Sequence, residues 1–159
     1  MKINIGIPFF KEDVEDSEFT YISPFPTSSE SVLYCHYQDL SKIADDGELD
    51  AISCKRVLNF ISHLEIKDTI KHWCKKLKHE GKLFLFFEDI IELCRLITIG
   101  SIKEQDISQY VYGGQEEGWN FKKSGFTIPF IKNILVENGM IIENVKLDSF
   151  YCYIESRRK

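Results

Sequence analysis

The sequence predicts an α/β fold with a mainly parallel sheet and one antiparallel edge. Short apolar runs precede and follow a clear amphipathic helix, which is the order of strands joined by crossover helices. Two further apolar runs stand side by side near the carboxyl end, as in a hairpin. The length of 159 residues suits one core, so we expect residues 1–159 to form a single domain.

Three strands are predicted in the first part of the chain. Isoleucines alternate with other residues over Lys2–Ile7, which is the period of a strand. Phe19–Ile22 is the second candidate, and the prolines that follow it cannot donate to a sheet ladder. Ser31–Tyr37, rich in aromatic and branched residues, is the third.

A fourth strand and the clearest helix follow an Asp-Asp-Gly turn. Leu49–Leu58 is apolar enough for a buried parallel strand. Ser62 and Glu65 then have the spacing of a capping box, and apolar residues recur at helical spacing as far as Leu77. We expect Gly81 to end this helix in the left-handed conformation.

The next segment predicts a central strand and a capped helix. Lys82–Phe87 is a nearly continuous apolar run. Asp89 is placed to cap a helix that continues to about Ile99. Residues 101–125 contain four glycines and are predicted to be irregular.

The carboxyl-terminal part predicts a helix and the hairpin. Thr127 is placed to cap the helix and Gly139 to close it. Met140–Val145 and Ser149–Ile154 are the two strands, and we expect the basic residues after them to be frayed.

Composition and charge disfavour several functions. The net charge is -5 with scattered Lys and Arg, so nucleic acid is not an expected partner. Five cysteines without a Cys-x-x-Cys pair predict neither a metal site nor a disulfide framework, and they fit a reducing, cytoplasmic setting. No apolar run approaches about 18 residues, so we expect no membrane association.

Several segments resemble compact class I S-adenosylmethionine-dependent methyltransferases. They are MKINIG (1–6), DLSKIADDGELDAI (39–52), RVLNF (56–60), WCKKLKHEGKLFLFFED (73–89), YGGQ (112–115) and NFKKSGFT (120–127). Together they extend over nearly the whole chain in the family's order. The resemblance implies a three-layer Rossmann-like fold, with a mainly parallel sheet and an antiparallel carboxyl-terminal hairpin.

The resemblance also implies S-adenosylmethionine as the cofactor, bound after the first three strands. Gly6 would lie in the turn where the backbone approaches the ligand. Ser23 stands where the family has a carboxylate for the ribose. Asp39, followed by Leu40, would contact the adenine, although Asp39 is equally interpretable as a strand-end cap.

Two further residues are candidates for the catalytic side. If the chain is an active enzyme, Asp89 and Tyr112 would face the methyl acceptor, and the protein would contribute mainly positioning. Asp89 is also interpretable as a helix cap, and Tyr112 as part of a glycine-rich crossover. Trp119 and Phe121 either form an exposed recognition patch or are buried under this loop.

The sequence departs from the family's pattern where the cofactor needs it most. Gly6-Ile7-Pro8 replaces Gly-Cys-Gly, and Pro8 lacks an amide hydrogen. Ser23 offers one hydroxyl in place of a carboxylate. Losing such contacts removes on the order of 3–5 kcal/mol, which would turn a micromolar site into a millimolar one. We therefore predict a methyltransferase-like domain with an eroded cofactor site, acting as a non-catalytic binding or structural module with a protein partner.

Two alternatives stay open. One is an active S-adenosylmethionine-dependent methyltransferase acting on a small molecule, a sugar or a protein. The other is a different α/β binding domain whose likeness is accidental. If the chain comes from a phage, an assembly role and a place in the virion would follow.

Overall fold

The computed structural model describes residues 1–7 and 18–159, and within them seven strands form one sheet. The strands are β1 (Lys2–Ile5), β2 (Phe19–Ser23), β3 (Leu33–Tyr34), β4 (Leu49–Lys55), β5 (Leu77–Glu88), β6 (Met140–Asp148) and β7 (Tyr151–Arg158). Their order is β3-β2-β1-β4-β5-β7-β6. The first five strands pair in parallel, and β7 is antiparallel to both β5 and β6. The predicted sheet with its antiparallel hairpin is confirmed.

The α-helices of the described residues all follow β4. They are α1 (Ile66–Lys76), α2 (Ile90–Thr98), α3 (Glu104–Tyr112) and α4 (Ile128–Glu137). Helices α1 and α4 pack on each other, and they contact β5 and β6, respectively. The core that they share with the sheet includes Ile5, Ile52, Leu85, Ile70, Trp73 and Ile131, all fully buried. No helix in the described segments is long and apolar enough to cross a membrane.

Three local predictions about helix ends are confirmed. The Asp89 side chain caps α2, and the Thr127 hydroxyl accepts a hydrogen bond from Phe130 N at 3.3 Å to cap α4. Gly139 follows α4 with a φ of 78°, which a glycine adopts at little cost. Each of these features depends on residues within a few positions of one another, so a sequence pattern can specify them.

The predicted capping box before α1 is wrong. Glu65 occupies the cap position without any side-chain hydrogen bond to the helix amides. The Ser62 hydroxyl instead accepts from Leu64 N at 3.3 Å, which makes a local turn.

The predicted helix stop at Gly81 is also wrong. The chain passes directly from α1 into β5, and Gly81 lies inside that strand. A Cβ at Gly81 would lie 2.8 Å from Lys78 O and 3.0 Å from Leu49 O. This glycine therefore allows close approach of neighbouring backbone, and its φ is not positive.

Other elements differ from the prediction in length. The expected strand over Ser31–Tyr37 is reduced to the two residues of β3, and the end of Leu49–Leu58 leaves the sheet. The segment 101–125, predicted to be irregular, contains α3.

The basic residues near the carboxyl end are paired in the sheet, so the expectation of a frayed end is wrong. Arg157 contacts Glu80 and donates to Glu143 at 2.7 Å. Arg158 donates to the carbonyl of Lys75 at 3.0 Å, at the end of α1. Cations stabilise helix carboxyl termini in this way, which ties β7 to α1.

Candidate functional site

The predicted site residues lie near the carboxyl edge of the parallel strands. They are Gly6 after β1, Ser23 at the end of β2, Asp39 and Leu40 after β3, Asp89 after β5, and Tyr112 at the end of α3. In open α/β sheets, ligands bind at this edge, where the strand order reverses. Here the order reverses between β1 and β4.

Gly6 continues the pairing of β1 with β2. Its amide donates to Ile22 O at 3.1 Å. An added Cβ would meet no atom of the described residues within 4 Å, and φ is not positive. Ile7 packs against the core, and Pro8 lies outside the described residues.

The Ser23 hydroxyl is used within its own turn. It is fully buried, donates to Phe25 O at 2.9 Å, and accepts from Phe25 N at 3.0 Å. A hydroxyl has one hydrogen to donate, so the donor of Ser23 is already engaged.

Three aromatic rings meet above the end of β1. Phe25 stacks on Trp119, with centroids 4.5 Å apart and planes 17° apart, and it meets Phe60 edge-on at 5.6 Å. The ring centroids of Phe60 and Trp119 are 6.0 Å apart. Phe25 follows β2 and Phe60 follows β4, and these strands flank β1. Their contact therefore bridges the end of β1; we call these three residues the aromatic cluster.

Asp39 is paired with a neighbouring lysine at the surface. Its carboxylate accepts from Lys42 Nζ at 2.6 Å, and 44% of the side chain is exposed. This hydrogen bond lowers the pKa of Asp39. The adjacent Leu40 is fully buried in the core.

Asp89 has both carboxylate oxygens engaged by backbone amides. Oδ1 accepts from Ile91 N at 2.9 Å and from Glu92 N at 3.1 Å, and Oδ2 accepts from Ile128 N at 2.8 Å. The side chain thereby joins α2 to α4, and the residue is only 4% exposed.

A cavity of about 230 Å³ lies beside the aromatic cluster, and a second of about 300 Å³ adjoins it. The first opens between the ends of β1, β4 and β5, and Phe60 and Trp119 line it. The second includes Tyr112, which is 59% exposed. Both cavities share four residues: Asn59, Glu88, Tyr110 and Lys122. These four form the wall between them.

An ion pair dominates this wall. Glu88 and Lys122 are in direct contact, and their side chains are only 17% and 11% exposed. Lys122 Nζ also donates to Tyr110 O at 2.7 Å. Asn59 Oδ1 accepts from Glu88 N at 3.3 Å and fixes the end of β5. Burial, followed by the nearby Glu88, raises the pKa of Tyr151 at the rim of the first cavity.

Residue 56 adds a cation at the mouth of the first cavity. Arg56 has a φ of 63°, an uncommon backbone conformation for a residue with a side chain. Its amide donates to Phe86 O at 3.0 Å, which holds this turn at the end of β4 against β5. Within the described part of the chain, no group of three or more His, Cys, Asp or Glu residues could hold a metal ion.

Sequence reasoning missed most of this wall. Glu88 and Lys122 are far apart in sequence, and no short pattern joins them. Trp119 was a candidate either for exposure or for burial, and it is partly buried against the core, whereas Phe121 is 44% exposed.

Comparison with solved structures identifies the fold. No protein-family model matches the sequence, and no curated protein matches it. An S-adenosylmethionine-dependent methyltransferase from Mesorhizobium loti matches with a TM-score of 0.65 at 12% identity, over 99% of this chain and 90% of that one. A methyltransferase of the same description from Archaeoglobus fulgidus matches with a TM-score of 0.64 at 12% identity, over 99% of this chain and 86% of that one.

A third match was solved with bound ligands. It is the 1,6-didemethyltoxoflavin-N1-methyltransferase of Burkholderia thailandensis, with 1,6-didemethyltoxoflavin and S-adenosylhomocysteine, at a TM-score of 0.61 and 8% identity over 98% of this chain and 70% of that one. Likeness at such low identity establishes architecture. The chain has the Rossmann-like fold of the class I S-adenosylmethionine-dependent methyltransferases.

Proposed function

We propose that this chain is a methyltransferase-fold binding domain that does not use S-adenosylmethionine and does not transfer methyl groups. A small polar ligand would occupy the cavity beside the aromatic cluster instead. The observation that carries the proposal is the contact of Phe25 with Phe60 and Trp119 across the end of β1. The resemblance implies that a nucleoside binds after the first three strands, and on this proposal the three rings obstruct that side of the crevice.

The polar groups near the cluster support the same conclusion. The resemblance places a ribose-binding carboxylate where Ser23 stands, and the Ser23 hydroxyl is engaged by Phe25. A hydrogen bond to a charged group contributes about 1.5–3 kcal/mol, and burying a phenylalanine ring contributes a similar amount. A nucleoside would forgo the first and have to displace the second. On this proposal the residues present do not fit the cofactor.

The size of the cavity points to a smaller ligand. Pockets for drug-sized ligands usually measure about 300–1,000 Å³. The cavity beside the cluster has about 230 Å³, and aromatic rings and charged side chains line it. This space suits a single ring or a short chain with polar ends.

Calorimetry with S-adenosylhomocysteine tests the proposal, with the Burkholderia thailandensis enzyme as the positive control. We expect a millimolar or weaker dissociation constant for this chain. A low-micromolar constant that is abolished by Asp39→Ala would overturn the proposal, and it would support the alternative of an active methyltransferase with Asp39 as an adenine contact.

A further inference from the structure

We infer that the Glu88–Lys122 ion pair makes this site selective for zwitterions, that is, for amino-acid-like ligands with one cationic and one anionic group. The inference rests on the proposed function, because it concerns the ligand of the same cavity. The pair lies in the wall between the two cavities, with little exposure of either side chain.

The two partners are held by different parts of the fold. Glu88 ends β5, where it pairs in the sheet with Tyr151 and its amide donates to Asn59. Lys122 belongs to the loop after α3, where its amide donates to Tyr112 O at 3.0 Å. The acid is therefore fixed by the sheet, and the lysine is carried by a long side chain on a loop. A ligand that enters the wall would displace the lysine side chain.

Charge compensation decides which ligand can enter. A buried charge that loses its partner is strongly unfavourable, because the protein replaces little of its lost hydration. A singly charged ligand that separates the pair satisfies one charge and leaves the other without an ionic partner; the carbonyl of Tyr110, which accepts from Lys122, is neutral and does not compensate a charge. A zwitterion satisfies both, with its ammonium on Glu88 and its carboxylate on Lys122. Joined in this way, the two cavities would lie well inside the usual volume range of ligand pockets.

The walls define the rest of the ligand. Phe60, Phe86 and Trp119 line the first cavity and would contact an apolar body. An ammonium group near these rings also gains a cation–π attraction. L-Phenylalanine, which has an aromatic side chain and both charges, is therefore a suitable probe.

Three matched probes measure the selectivity by calorimetry. They are L-phenylalanine, phenethylamine without the carboxylate, and 3-phenylpropionate without the ammonium. We expect L-phenylalanine to bind roughly 100-fold or more tightly than either analogue, because each analogue leaves a buried charge unpaired. Equal affinities for the three, or no binding of L-phenylalanine at about 10 mM, would overturn the inference.

A paired variant separates selectivity from folding. Removing one partner leaves the other charge buried without an ionic partner and destabilises the fold, whereas replacing both changes the stability little. We expect Glu88→Gln with Lys122→Gln to bring the three probes within roughly tenfold of one another. Glu137→Gln with Lys146→Gln, two exposed residues outside the cavity, is the matched control and should keep the preference. Retention of the preference in the first pair would contradict the assignment.

Adenosine distinguishes failure of the inference from failure of the proposed function. S-adenosylhomocysteine carries its own zwitterionic end, and adenosine lacks it. Micromolar binding of S-adenosylhomocysteine would overturn the proposed function, and adenosine that binds equally well would show that the nucleoside, and not the zwitterionic end, provides the affinity. Weak binding of both, together with equal affinities for the three phenyl probes, would overturn the zwitterion inference alone.

Discussion

The two halves of the sheet's carboxyl edge differ in what their connections build. After β2, the chain reaches β3 without a helix. There the Ser23 hydroxyl hydrogen-bonds to the backbone of Phe25, and the Phe25 ring packs in the aromatic cluster. After β4 and β5, the connections carry all the α-helices of the described residues, and they enclose both cavities. If the proposed function is correct, this difference means that one fold can lose the nucleoside side of its crevice and keep a cavity on the other side.

Phe25→Ala should have the largest effect on this comparison. The residue is only 8% exposed and contacts both other rings of the aromatic cluster. Because truncating a buried phenylalanine leaves a cavity, we expect the free energy of unfolding to fall by about 3 kcal/mol. Denaturant titration measures this free energy. The fluorescence emission of Trp119 should also differ in the variant, because the ring that stacks on it is removed.

Phe121→Ala is the matched control for that variant. Phe121 is 44% exposed and belongs to the same loop as Trp119. We expect a loss below about 1 kcal/mol. If the two variants lost equal stability, the aromatic cluster would not be the element that closes this half.

The two predicted carboxylates provide the second test. Asp89→Ala removes the acceptor for three backbone amides between α2 and α4, so we expect a loss of about 2 kcal/mol. Asp39→Ala removes only a pair with Lys42 at the surface, so the denaturation midpoint should not move measurably. Equal losses for the two variants would contradict the structural role that we assign to Asp89.

The smallest expected effect is a change of stability at acid pH. It arises from Asp50, at the amino-terminal edge of the parallel strands. Hydrogen bonds from Lys78 and then from the amino terminus lower the pKa of Asp50 from 3.8 to about 2. Because this folded-state pKa is depressed, the stabilisation is present above pH 3.8 and is lost as the pH falls towards 2.

Asp50→Asn should therefore be less stable than the parent chain above pH 3.8, and this difference should disappear as the pH falls towards 2. Thermal unfolding at several pH values measures this difference, and ligand binding should be unchanged. A stability difference that is equally large at pH 2 and pH 6 would contradict the origin in ionisation.

Local signals predicted much of the fold. Asp89 and Thr127 cap helices because a side chain and an amide within three residues decide the outcome. The order of apolar runs predicted the mainly parallel sheet and its hairpin, and the resemblance implied the same fold. Gly81 was misinterpreted because it is constrained by the backbone carbonyls of Lys78 and of the distant Leu49 in β4, and not by its own φ.

The candidate site was less predictable, because its contacts join distant segments. The sequence did identify Ser23 as a departure from the family's carboxylate. The hydrogen bonds of its hydroxyl to Phe25 depend on the path of the turn, which the sequence pattern does not specify. Glu88 contacts Lys122 across the segment that contains α3, and the glycines of that segment predict irregular structure. All six predicted site residues stay predictions as functional residues: Gly6, Ser23, Asp39, Leu40, Asp89 and Tyr112.

A crystal of this chain soaked in S-adenosylhomocysteine tests the central claim most directly. We predict that the Phe25 ring stays stacked on Trp119 and that no adenosine density appears above Gly6. Clear density for the nucleoside at that position, with Phe25 displaced, would contradict the account.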